Sequence, residues 1–187
     1  MSLKDVNPVN AKRSKRVAIV ISSPTVASNT GWPVGFWWSE LAHPYYRLRE
    51  QGYEMEIFST EGGKCEADAM SDARDPSGYS AGDLISMGFI ATAKLAALIE
   101  NTKKVTDLQV DDFDAILCAG GQGLMYTYEK SIDLQRKFSQ FYESGKGWCE
   151  RWGNEFPASL KPRVFQLRSS GHFSNISLTV GRPYGCM

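Results

Sequence analysis

The chain has 187 residues, 42% hydrophobic and 22% charged, which suits one domain with a sizeable core. Twenty-one basic side chains balance 21 acidic ones, so net charge gives no argument for a nucleic-acid or membrane-surface partner. Its apolar runs fall far short of the roughly 20 residues that a membrane helix needs.

Residues 1–16 (MSLKDVNPVNAKRSKR) are polar and end in a basic cluster, with no apolar signal core. They are expected to be a disordered, solvated lead-in to a cytoplasmic protein. VAIVIS (17–22) is a short apolar run rich in β-branched residues, as in a strand buried on both faces. After a loop of turn formers, Trp37, Leu41, Tyr45 and Leu48 recur at helical spacing, and Gly52 supplies a stop: a helix over 36–51. YEMEIFS (53–59) alternates and predicts the second strand. Residues 64–82 are polar, with Pro76 among them, and predict a surface excursion. Residues 83–101 predict a helix interrupted near Gly88, and AILCAGG (115–121) a third buried strand ending in a double glycine. SIDLQRKFSQFYESGK (131–146) predicts an amphipathic helix with Leu134, Phe138 and Phe141 on its apolar face and Gly145 as its stop.

Strand and helix thus alternate three times up to Lys146, which argues for a parallel sheet covered by helices on both faces. In such sheets functional groups collect at the carboxyl ends of the strands, here the loops after VAIVIS and AILCAGG. Beyond Lys146 the text changes. GWCERWGNEFPASLKPRVF carries two prolines and no apolar run, where a further buried strand is required. Residues 147–187 carry five basic side chains against Glu150 and Glu155, net +3. VFQL (164–167) and ISLTV (176–180) suit short antiparallel or edge strands, so this tail is expected to add no nucleophile-bearing turn and to leave a sheet edge open to self-association.

Few residues have the chemistry for a site. Glu40 follows the aromatic stretch GFWW. Desolvation there would raise its pKa and let it give or take a proton, whereas an exposed glutamate in a first helical turn is the plainer reading. The glycines of AGGQG (119–123) let a backbone approach a ligand closely, so their N–H groups can build half of an oxyanion hole. A tight turn is the plain alternative, and a phosphate cradle lacks the GK[ST] or GxGxxG that it needs. The cysteines at 65, 118, 149 and 186 have no CxxC spacing and read as reduced thiols. With two histidines in the chain, no metal site is expected. Cys118 reads as a core residue, and Glu150 beside Cys149 disfavours a thiolate there. His43 shares a helix face with Glu40 and could bond it, although a packing role is commoner; His172 has no recognisable partner.

Four segments, TGWPVGFWWSELAHPYY, GYEMEIFSTEGGK, DDFDAILCAGGQGLMYTY and FYESGK, together resemble the DJ-1/PfpI superfamily, in its ThiJ and Hsp31-like branch, over residues 17–146. The resemblance implies a flavodoxin-like α/β domain, commonly dimeric and without a cofactor. Activities in the family include glutathione-independent glyoxalase (methylglyoxal to lactate), holdase chaperone, and peptidase or amidase. It implies that Glu40, four residues before Pro44, takes the place of the glutamate that bonds the family's catalytic cysteine. Gly120 and Gly121 take the place of the oxyanion glycines, with Trp37 and Gln122 beside them at the substrate. Gln122 replaces a frequent histidine. The family's A-[VI]-C-H-G elbow places cysteine six residues beyond the lysine, where this chain has Trp152, and no Cys-His pair occurs in it. An abrupt loss at 146/147 has the form of a shifted reading frame or an alternative 3′ exon. The expectation is a chain with the supporting half of a site for a small reactive carbonyl, inactive by itself; a non-catalytic, chaperone-like or interaction role is the alternative.

Overall fold

The computed structural model describes residues 14–150, with the backbone alone for 147–150. In chain order the elements are β1 (Arg16–Ile21), β2 (Thr25–Val26), β3 (Pro33–Val34), α1 (Trp38–Glu50) and β4 (Glu54–Ser59). There follow α2 (Leu84–Ala91), α3 (Ala93–Ala96), β5 (Lys103–Lys104), β6 (Ala115–Cys118), α4 (Leu124–Thr127), α5 (Ile132–Glu143) and β7 (Gly147–Glu150). Five strands form one sheet in the order β5-β4-β1-β6-β7, and every pairing in it is parallel. The short strands β2 and β3 pair antiparallel in a ribbon of their own.

β1 is central because both its faces are apolar. Val17, Ile19 and Ile21 pack with Leu117 towards Leu41, Tyr45 and Leu48 of α1 and Phe89 of α2. Ala18 and Val20 pack with Ile116 and Cys118 towards Leu134, Phe138 and Phe141 of α5. The period-2 alternation of the strand thus meets a helical stripe on each side. α1 leads from β1 to β4, on one side of β1, and α5 leads from β6 to β7, on the other. The winding therefore reverses between β1 and β6, and a doubly wound sheet opens a crevice there, outside the carboxyl ends of its strands.

Several expectations are corrected. The first strand begins at Arg16, inside the expected lead-in. The Arg16 N–H donates to Asp114 at 2.9 Å, and its guanidinium donates to Glu56 at 2.9 Å and lies over the Phe113 ring. Residues 1–13 lie outside the described residues. The helix over 83–101 breaks at Thr92, not at Gly88. Thr92 is extended, with ψ 104°, and its hydroxyl donates back to the Gly88 carbonyl, a bond that competes with helix continuation. The polar excursion 64–82 is not simply surface: Cys65, Asp68, Ser71 and Ala73 are buried. A strand also follows Lys146 directly. Gly145, at φ 67°, reverses the chain, and Gly147–Glu150 pairs parallel with Ala115–Cys118. A ladder needs backbone partners rather than an apolar run, so sequence pattern missed it. Trp152, His172, VFQL and ISLTV lie outside the described residues.

Candidate functional site

The loop after β1 and the loop after β6 meet at the switch point. Trp37 N–H donates to Gly120 O at 2.9 Å, and Gly123 N–H donates to Gly35 O at 2.8 Å. Their backbones pass too closely for side chains. A Cβ on Gly121, whose φ is +131°, would stand 2.5 Å from Gly35 O and 2.6 Å from Trp37 N. One on Gly123 would stand 2.7 Å from the Ser22 hydroxyl. Close approach excludes a side chain at both positions, and at Gly121 the positive φ favours glycine as well.

Two carboxylates hold this turn. Glu40, half-buried in the first turn of α1, accepts the Gly120 N–H at 2.6 Å. Asp68, 4% exposed, accepts the Gln122 N–H at 2.6 Å through one oxygen and the Gly35 N–H at 2.9 Å through the other. Burial pushes the Asp68 carboxyl above its ordinary range, against the pull of those two amides. Between the two engaged amides, Gly121 is half-exposed, and its N–H has no acceptor among the described residues.

A second tier supports the first. The Ser71 hydroxyl donates to the Asp68 carbonyl at 2.7 Å and accepts the Trp38 N–H at 3.2 Å, which fixes the start of α1 relative to residues 68–71. Beneath the crevice, the buried Tyr128 hydroxyl lies 2.8 Å from the Val20 carbonyl and 2.9 Å from that of Ala119, tying the ends of β1 and β6. Burial pushes that phenol well above its ordinary pKa.

Of the residues singled out in sequence, Glu40, Trp37, Gly120, Gly121 and Gln122 come together here. Gln122 enters through its backbone; the residue itself is exposed. The Trp37 ring, half-buried, stands edge-on to Tyr79 with centroids 6.1 Å apart. His43 Nε2 lies 2.8 Å from Asp83, at the start of α2, which makes it a link between two helices. Burial raises the Cys65 thiol, although Ser59 and Thr102 partly offset it; Cys118 is buried too. No group of three His, Cys, Asp or Glu among the described residues could hold a metal ion, and no helix among them is long and apolar enough to cross a membrane.

Asp68, Ser71 and Tyr128 escaped sequence reasoning. The D-x-x-S spacing of 68–71, a common signal for local capping, was the one available sign of the first two. Nothing in sequence connects Asp68 to Gly35 and Gln122.

A doubly wound parallel sheet with a carboxylate and a glycine turn at its switch point defines a flavodoxin-like α/β domain whose candidate site lies at the strand ends. No family model matches the chain. It is 28% identical over 133 residues to the glutathione-independent glyoxalase HSP31 of Saccharomyces cerevisiae, covering 70% of this chain and 54% of the relative. Glyoxalase 3 of Candida albicans is 26% identical over 117 residues, 62% of this chain and 47% of the relative. Among solved structures, the 24 kDa rapid encystment protein of Francisella tularensis aligns at 27% identity with a TM-score of 0.63, over 73% of this chain and 57% of that one. The crystal structure of glyoxalase III from Candida albicans aligns at 25% identity with a TM-score of 0.58, over 73% and 56%. These similarities support membership of the DJ-1/PfpI superfamily over about 70% of the chain. It spans about half the length of the curated relatives it matches.

Proposed function

We propose that this chain carries the supporting half of a cysteine-dependent, glyoxalase-like site for a small reactive carbonyl. In this reading Glu40 moves the proton and the Gly121 N–H receives the developing charge on oxygen. The observation that carries it is the turn at 120–122, whose outer amides are engaged by carboxylates while the middle one is not. A carbonyl oxygen gains negative charge when its carbon is attacked, and an amide already fixed in place stabilises that charge without reorganising. Methylglyoxal and water give lactate with no external oxidant. The conversion moves hydrogen between adjacent carbons, and carrying it is a task for a carboxyl group placed as Glu40 is. The relatives named as glyoxalases support the same class of substrate.

The nucleophile of such a reaction is a thiolate, and the position six residues beyond Lys146 holds Trp152. The chain by itself is therefore expected to bind the product class but to turn over methylglyoxal near the uncatalysed rate. The test measures lactate binding and methylglyoxal consumption by the purified chain and by E40A. Saturable binding of lactate that E40A weakens about tenfold supports the reading. Absence of lactate binding contradicts it, and so does turnover well above background that survives E40A.

A further inference from the structure

We infer that Asp68 is the positioning residue of this site: its carboxylate sets the 120–122 turn so that the Gly121 N–H is presented to a ligand. The inference rests on the carbonyl-site reading, which it deepens. Asp68 touches no reacting atom in that reading. It acts through backbone, holding the Gly35 N–H with Oδ1 and the Gln122 N–H with Oδ2.

The arrangement is specific to a carboxylate. Both partners are N–H donors, so both side-chain oxygens must accept, and an amide side chain would place its own NH₂ group against one of them. The carboxylate also joins three chain segments far apart in sequence. Gly35 leads into α1, Asp68 lies in the loop after β4, and Gln122 follows β6. Asp68 is itself held from both sides, its N–H donating to Phe36 O at 2.8 Å and its carbonyl accepting the Ser71 hydroxyl at 2.7 Å. Glu40 engages Gly120 on one side of Gly121, and Asp68 engages Gln122 on the other. With both neighbours anchored, the peptide at Gly121 keeps the φ of +131° that leaves its N–H unengaged. Releasing Gln122 alone frees the turn to rotate, while Glu40 still holds Gly120.

Amide hydrogen exchange and ¹⁵N–¹H spectra of the full chain, with D68N and D68E, test this without a ligand. In wild type the Gln122 amide, donated to a carboxylate at 2.6 Å, should resonate downfield of the Gly121 amide. In D68N, exchange at Gly35 and Gln122 should rise roughly ten- to hundredfold, and the Gly121 resonance should shift. The Ala119 amide, which bonds Val20 O in the sheet, should keep its protection, and D68E should restore part of the effect at Gln122. Uniform loss of protection across these amides in D68N would assign Asp68 a merely structural role and overturn the inference. So would unchanged exchange at Gln122, or a wild-type Gln122 amide upfield of Gly121. The wild-type comparison stands even if D68N fails to fold. These readouts are independent of lactate: failure of lactate to bind would remove the carbonyl reading, whereas failure here would remove the role of Asp68 and leave that reading standing.

Discussion

In the proposed reading Glu40 has two separable roles: one oxygen accepts the Gly120 N–H, and the group as a whole carries a proton. Glutamine keeps an acceptor of the same reach and loses the acid. E40Q should therefore retain stability to within about 0.5 kcal/mol, whereas E40A should lose about 1–3 kcal/mol by leaving the Gly120 N–H without its partner. Urea unfolding of the two variants measures the difference, and equal losses would show that the bond to Gly120 stabilises nothing. Gly121 admits no such substitution. G121A places a methyl group 2.5 Å from Gly35 O at a φ that alanine resists, and should cost about 2–4 kcal/mol or displace residues 35–37. A G121A protein of wild-type stability would contradict the close approach of the two loops. At this scale the sequence was informative where chemistry and local spacing coincide, as at Glu40 and the double glycine. It was silent on Asp68, because a carboxylate whose partners are backbone amides 33 and 54 residues away leaves no local pattern.

The helices show where local signals suffice and where tertiary contacts decide. α5 was readable from its apolar stripe, and its N-cap Ser131 accepts the Leu134 N–H as such a cap should. The extent of α2 was not readable, since Thr92 ends it by a bond back to Gly88 that a hydropathy pattern does not carry. α2 begins at Asp83, which accepts from the Ser86 N–H and hydroxyl and meets His43 of α1. Burial raises this carboxyl, but those hydrogen bonds and His43 outweigh it and leave its pKa below the ordinary 3.8. Such a group adds stability in full above the unfolded value, and that contribution is lost as pH falls through the lower folded value. D83A should cost about 1 kcal/mol at neutral pH through the lost cap. The gap between variant and wild type should narrow as pH drops below 3.8. Thermal melts from pH 3 to pH 7 measure it, and a gap that widens on acidification would reverse the assigned sign.

At the scale of the molecule, the parallel α/β class was legible because three buried runs alternate with helical stripes. The strand after Lys146 was not, because a backbone ladder beside β6 makes no demand on hydropathy at Gly147–Glu150. β7 stands at one end of the sheet, and among the described residues nothing pairs with its outer edge. An open parallel edge is a template for a further strand. Self-association of the chain should therefore rise with concentration in sedimentation velocity, and a monomer throughout the series would show the edge to be covered. Trp32 and Leu84, 69% and 76% exposed, are the residues to follow if a chaperone-like role is pursued through client-aggregation assays.

The central claim is that the carboxyl ends of β1 and β6 form a site in which the Gly121 N–H meets an oxygen of the ligand. Its most direct test is a titration of the ¹⁵N-labelled full chain with sodium lactate, with sodium chloride at matched ionic strength as the control. The expected result is a saturable shift that is largest at Gly121, extends to Gly120 and Gln122, is absent with chloride and is weakened in E40A. Shifts that never saturate, that appear equally with chloride, or that centre on residues remote from the 120–122 turn would contradict it.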